Sequence, residues 1–148
     1  MQSEEMDEAL RLAEKAASLG EVRVGAVVVG PDQTIIGRGY NRVLMDHDPS
    51  AHAEIMAIRE ACKSLGSERL IDCDLYVTLE PCPMCAQAIS FARIRRLYFA
   101  ADDTKGGGVE NGARVYQQTS CHHKPDVYSG LSATKAADML RSFFKERR

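Results

Sequence analysis

Two short segments far apart in the chain must meet in space, and that requirement constrains the fold more than any other feature. The first is Ala51-His52-Ala53-Glu54 and the second is Pro81-Cys82-Pro83-Met84-Cys85. His52, Cys82 and Cys85 offer one imidazole and two thiolates, enough to hold a zinc ion and leave its fourth tetrahedral position open. An open position marks a catalytic zinc rather than a structural one. Glu54, two residues beyond the histidine, carries a carboxylate placed to shuttle protons at such a centre. A closed Cys₃His site, with Cys62, Cys73 or Cys121 as fourth ligand, is the structural alternative. A C-x-x-C pair standing alone would favour that alternative.

Composition sets the frame. At 148 residues the chain fits a single domain, 1–148, with a proper core. Its 45% hydrophobic and 27% charged residues are ordinary for a globular protein. The longest apolar run, residues 25–30, is strand-length and too short to span a bilayer. No basic segment followed by an apolar run follows Met1, so no signal peptide is expected. Five cysteines without a secretion signal suit a reducing cytoplasm, where close pairs bind metal more often than they cross-link.

The net charge of -2 conceals a gradient. Glu4, Glu5, Asp7, Glu8, Glu14 and Glu21 make the first residues acidic. Arg141, Lys145, Arg147 and Arg148 make the end basic. Such an end either contacts phosphate or complements the dipole of a closing helix.

Periodicity places the elements. Met6, Ala9, Leu10, Ala13, Ala16 and Ala17 recur at three and four residues and predict an amphipathic helix over 3–19. Residues 22–29 and 34–40 read as strands joined at Gly30-Pro31-Asp32-Gln33, a hairpin. After a polar loop, Asp48-Pro49-Ser50 opens a helix with Ser50 as N-cap, and Gly66 ends it. A short strand over 75–79 leads to a helix over 82–91 and a strand over 95–100. The third and fourth strands, joined through a helix, should run parallel. Residues 102–112 form a loop, 126–128 a short fifth strand, and 133–147 a closing amphipathic helix. Helices alternating with strands predict a three-layer α/β/α domain around a mixed five-stranded sheet.

Both motif segments fall at predicted helix starts. Cys82 and Cys85, three apart, share one face of a helical turn. Unpaired N–H groups and the positive helix end favour thiolate there. Pro81 and Pro83 stiffen the approach and cost few hydrogen bonds at a helix start. The H-x-E…P-C-x-x-C pattern is the signature of the zinc nucleobase deaminases. In that chemistry Glu54 moves protons while water replaces the amine of a purine or pyrimidine ring.

With these residues in place, the chain resembles the bacterial tRNA-specific adenosine deaminases of the cytidine deaminase-like superfamily. The likeness is densest at Val24-Gly25-Ala26-Val27, at residues 48–55 and at residues 75–85. Gly39-Tyr40-Asn41-Arg42, the Asp103-Thr104-Lys105-Gly106 loop and the terminal Phe143-Phe144-Lys145-Glu146-Arg147-Arg148 also match. The resemblance implies deamination of the wobble adenosine of a tRNA anticodon to inosine, with one zinc per subunit, by a homodimer. It also implies that Asn41 and Ala53 meet the flipped base and that Asp103 and Lys105 lie along the anticodon loop. Arg141, Lys145, Arg147 and Arg148 would approach the RNA backbone. A loop base is a reasonable target because it is already unpaired and cheap to extrude.

Two departures stand out. Arg23 occupies a position where the family usually has proline, and Asp102 adds a second acid beside Asp103. Both leave open a relative that deaminates a free base such as guanine, adenine or cytosine. A further alternative is a non-catalytic, zinc-stabilised RNA-binding module. Residues read as structural rather than functional are Phe143 and Phe144, at core spacing, and Gly106–Gly108, a flexible loop. Cys121-His122-His123 reads as loop rather than a second zinc site, because neighbouring side chains diverge.

Overall fold

The computed structural model describes residues 3–132. The expected closing helix lies outside them, as do Arg141, Phe143, Phe144, Lys145, Arg147 and Arg148. Helix α1 (Glu4–Ser18) starts where Ser3 accepts a hydrogen bond from the Met6 N–H at 3.2 Å, with Glu4, Glu5 and Asp7 in its first turn. Its apolar stripe of Met6, Ala9, Leu10, Ala13 and Ala16 is fully buried, as the spacing predicts.

Strand β1 (Gly25–Val29) is buried on both faces. It begins three residues later than the β-branched run suggests. The Val24 N–H bonds the Val22 carbonyl at 2.8 Å, and the Gly25 N–H goes to Thr78 Oγ1 at 3.2 Å. These bonds divert residues 22–24 from the ladder. Strand β2 (Ile35–Tyr40) pairs antiparallel with β1.

Helix α2 (Ala53–Leu65) corrects one expectation. Ser50 is not its N-cap. Asp48 Oδ1 instead accepts the Ser50 N–H at 2.9 Å and its hydroxyl at 2.7 Å, closing a local turn. The helix therefore starts two residues later, with His52 in the N-cap position and its ring free of capping duty. At the other end Gly66 takes the left-handed conformation, φ 66°, that stops a helix. The inward face of α2 is Ala53, Ala57 and Ala61, small enough for the helix to lie close on β2. Gly39 completes that approach, since a Cβ there would sit 2.2 Å from the Ala53 carbonyl oxygen.

Strand β3 (Asp74–Leu79), helix α3 (Pro83–Phe91) and strand β4 (Arg96–Ala101) form a parallel β-α-β unit. Strand β5 (Asp126–Ser129) adds parallel to β4, after a single 3₁₀ turn at Val115–Gln117 that periodicity does not reveal. Sheet order is β2-β1-β3-β4-β5, with β1 antiparallel to both neighbours, a mixed five-stranded sheet.

Alternation along the strands divides the core. Ala26, Val28, Leu75, Val77, Leu97 and Phe99 face α2 and α3, whereas Val27, Val29 and Ala100 face the α1 side. Helices on both faces make three layers. Each fully buried Leu or Phe of this set contributes roughly 1.5–3 kcal/mol relative to exposure. None of the described helices is long and apolar enough to cross a membrane.

Candidate active site

The helix starts of α2 and α3 converge. His52 is the N-cap residue of α2 and Glu54 lies in its first turn; Cys82 is the N-cap of α3 and Cys85 lies one turn on. Neither N-cap side chain makes a capping hydrogen bond, and both come together with Cys85 between the two helix starts. His52 Nδ1 lies 3.5 Å from Cys82 Sγ and 3.4 Å from Cys85 Sγ, and all three donor atoms fall within 4.8 Å of one another. Tetrahedral zinc with ordinary bond lengths separates a nitrogen and a sulfur ligand by about 3.6 Å. The donor set and its spacing therefore fit zinc. Among the described residues no fourth His, Cys, Asp or Glu joins the cluster.

The other cysteines are engaged elsewhere. The Cys73 thiol points to the Ile71 carbonyl at 3.5 Å, and burial pushes its pKa up to about 11. The Cys121 thiol donates to Ser90 Oγ at 3.4 Å, and the His123 ring donates to the Ile94 carbonyl at 2.6 Å. Ser90 also donates to the His123 carbonyl at 2.6 Å, so this segment fastens a loop to α3.

Electrostatics within the cluster follow from proximity. The thiol of Cys85 donates to Cys82, and with help from His52 this holds the Cys82 thiol down at about 4. Cys85 itself is driven far above the usual thiol range by that bond and by burial. Glu54 is only 4% exposed, and desolvation raises its carboxyl to about 7. A carboxyl near 7 can both take and give a proton at neutral pH.

These groups open onto one pocket of about 260 Å³, lined by Val22, Val24, Asn41, Leu79, Glu80, Asp103 and Gly106 in addition to His52, Glu54 and Cys82. Asn41 is 93% buried, and its N–H bonds the Val24 carbonyl at 3.2 Å. Of the other residues expected to meet substrate, Asp103 is on the wall, while Lys105 is exposed on the same loop and does not line the cavity. Ala53 is fully buried in the core, in the first turn of α2, and does not line the cavity.

Arg23 turns away from the pocket. It pairs with Glu14 of α1 at 3.7 Å, between Val22 and Val24, which face the cavity. Asp102 is exposed and off the wall.

Two buried carboxylates with clear structural work are not apparent from the motifs. Glu21, 1% exposed, accepts the N–H groups of Leu44 at 3.1 Å and Met45 at 2.7 Å and so pins the loop after β2. Glu80, 2% exposed, accepts five hydrogen bonds from residues 103–111. The available clue was an acid directly before Pro81-Cys82, with three glycines later in the chain to make room.

Similarity to known proteins agrees with this geometry. Residues 1–101 match the model of the cytidine and deoxycytidylate deaminase zinc-binding region. A tRNA-specific adenosine deaminase of Agrobacterium fabrum is 57% identical over 97% of this chain and 93% of its own length. A structure solved in studies of A-to-I editing by tRNA:A34 deaminases superposes with a TM-score of 0.90 at 56% identity, covering 92% of this chain and 98% of that one. The guanine deaminase of Bacillus subtilis is more distant, with a TM-score of 0.68 at 34% identity over 98% of this chain and 95% of that chain. A matching zinc-binding region, near-full-length identity and a shared fold converge on one assignment: this chain belongs to the tRNA-specific adenosine deaminase family.

Proposed function

We propose that the protein hydrolytically deaminates adenosine to inosine at the wobble position of a tRNA anticodon, releasing ammonia. The observation that carries this reading is the cluster of His52, Cys82 and Cys85, with His52, Cys82 and the buried Glu54 on the wall of one small pocket. His52, Cys82 and Cys85 would hold one zinc per subunit. When bound there, zinc supplies the Lewis acidity that makes water a nucleophile near neutral pH.

The chain's own residues do the rest. Val22, Val24 and Leu79 give the cavity apolar walls for a flat ring, and Asn41 offers an amide to its edge. At about 260 Å³ the cavity is smaller than the roughly 300–1,000 Å³ of pockets for drug-sized ligands, which suits a single extruded base. Glu54 takes a proton from the attacking water as its oxygen bonds the amine-bearing carbon. It passes that proton to the adjacent ring nitrogen. Glu54 then carries the remaining proton of the added hydroxyl to the amine, the carbon–nitrogen bond breaks, and ammonia leaves a carbonyl behind. Burial keeps Glu54 poised for both directions of transfer.

The chain acts in this reading as a single cytoplasmic domain and as a homodimer whose subunits together build the RNA surface. Asp103 and Lys105 sit on a loop at the pocket mouth, where the anticodon loop would run. Arg141, Lys145, Arg147 and Arg148 are proposed to meet its phosphates. A free-base deaminase is the second reading, favoured by the 34% identity to a guanine deaminase. The 57% identity and closer superposition of the tRNA-directed relatives weigh against it.

A substrate panel separates the two. Zinc-loaded protein is given an anticodon stem-loop with a wobble adenosine, free adenosine, guanine, adenine and cytosine, and ammonia and inosine are measured. Inosine in the stem-loop, with turnover falling steeply as salt rises, is expected. Turnover of a free base, insensitive to salt and with none on RNA, would overturn the substrate assignment.

A further inference from the structure

Glu80 is an acid in the wrong place for a simple core. It is 2% exposed, and no described cation pairs with it; its charge is met by amides alone. Oε1 accepts the Asp103 N–H at 3.1 Å and the Asn111 side-chain amide at 2.6 Å. Oε2 accepts the N–H groups of Val109 at 3.1 Å, Glu110 at 2.9 Å and Asn111 at 3.0 Å. Successive backbone N–H groups aimed at one point form an anion-binding nest, here filled by the protein's own carboxylate.

The loop is built around that anion. Asp103 Oδ1 accepts the N–H groups of Lys105 at 3.1 Å and Gly106 at 2.8 Å, which closes the turn that presents Asp103 and Gly106 to the pocket. Gly107 passes so near Glu80 that a Cβ there would lie 2.6 Å from its carboxyl carbon and from Oε2, and 2.4 Å from the Asp103 carbonyl oxygen. Both ends of the segment 103–111 therefore hang on one side chain.

We propose that Glu80 is a positioning residue that sets the substrate-facing shape of the 103–111 loop, and so sets affinity for the RNA around the target base. Glu80 lies on the pocket wall, but its carboxylate oxygens are committed to the loop, so it acts on the substrate through the backbone it holds. The proposal rests on the tRNA reading above for the identity of the ligand, but the loop order it predicts can be read without any substrate.

Glu80→Gln is the informative change. A glutamine amide has one oxygen, and placing its NH₂ toward Val109, Glu110 and Asn111 would set it against three donors. The NH₂ instead takes the Oε1 side, where the Asn111 side chain can turn its own oxygen inward. Only the Asp103 N–H then loses its acceptor. Asn111→Ala removes one bond to the same oxygen and serves as a milder variant should Glu80→Gln fold poorly.

The experiment has three readouts on the zinc-loaded protein: amide hydrogen exchange, zinc content, and KM against kcat on the stem-loop. The expected result is faster exchange at Asp103, zinc still at one per chain, and KM raised about tenfold with kcat changed less than about threefold. Asn111→Ala should move KM in the same direction by less. Unchanged exchange at Asp103 would overturn the proposal, as would loss of zinc or a fall in kcat with KM constant. If the unaltered protein makes no inosine in RNA, the tRNA reading fails by itself, and the exchange data still decide whether Glu80 orders the loop.

Discussion

The pocket has two unlike sides. Its floor is chemical: His52, Glu54, Cys82 and Cys85 stand at the starts of two helices packed on a rigid sheet. Its rim is conformational: the loops after β2 and β4 present Asn41, Asp103 and Gly106, and buried carboxylates hold both loops. On the floor, side chains point at the substrate position. On the rim, Asn41 and Asp103 reach the cavity from loops whose backbone is held in shape by Glu21 and Glu80. The contrast suggests a division of labour in which the floor sets the reaction and the rim sets what is brought to it.

The largest effect should come from the floor. Cys85→Ser should strip zinc and lower turnover by more than about 100-fold, since losing even an outer partner of a metal ligand costs about 10–100-fold. Metal analysis alongside ammonia release checks this, and full turnover in a zinc-free variant would break the division. On the rim, Glu21→Gln should leave zinc in place. It should destabilise the fold by about 1–3 kcal/mol in urea unfolding, because the buried Glu21 loses a charge-assisted hydrogen bond from the Leu44 or Met45 N–H. KM should rise more than kcat falls.

Between the two lies Tyr116, whose hydroxyl donates to the Ala86 carbonyl of α3 at 2.9 Å. Tyr116→Phe should cost about 1 kcal/mol at neutral pH. Burial raises the phenol pKa above its ordinary value. A raised folded value means stability is fully present below the unfolded pKa, near 10, and falls as pH rises beyond it. The Phe variant should therefore lose less stability than the parent between pH 9 and about 11, by thermal melting. The smallest effect belongs to Arg23. It sits beside the rim in sequence but reaches toward Glu14 of α1 and does not line the cavity. Arg23→Ala should change KM less than about twofold.

The same contrast explains what could be read from residues alone. The floor was legible because metal ligation demands particular residue types at particular spacings, and His-x-Glu with Pro-Cys-x-x-Cys meets that demand. The helices and strands were legible because periodic apolar residues such as Met6, Ala9, Leu10 and Ala13 leave few alternatives. Ser50 misled because a serine before an apolar run suits an N-cap, yet Asp48 captured it first. Asn41 and Asp103 on the rim were suggested by family resemblance, but what holds the rim was not legible, since Glu21 and Glu80 act through backbone N–H groups distant in sequence, and backbone donors carry no residue signature. Arg23 and Asp102 looked capable of altering the pocket because their sequence neighbours line it, Val22 and Val24 on one side and Asp103 on the other, while they themselves do not.

The central claim is that metal binding and proton transfer reside in separate residues of one floor. The most direct measurement is zinc content and inosine formation in the same preparation of Glu54→Ala, with the stem-loop as substrate. One zinc per chain with inosine formation abolished is the predicted result. Appreciable inosine formation, or zinc lost together with the carboxylate, would contradict the account.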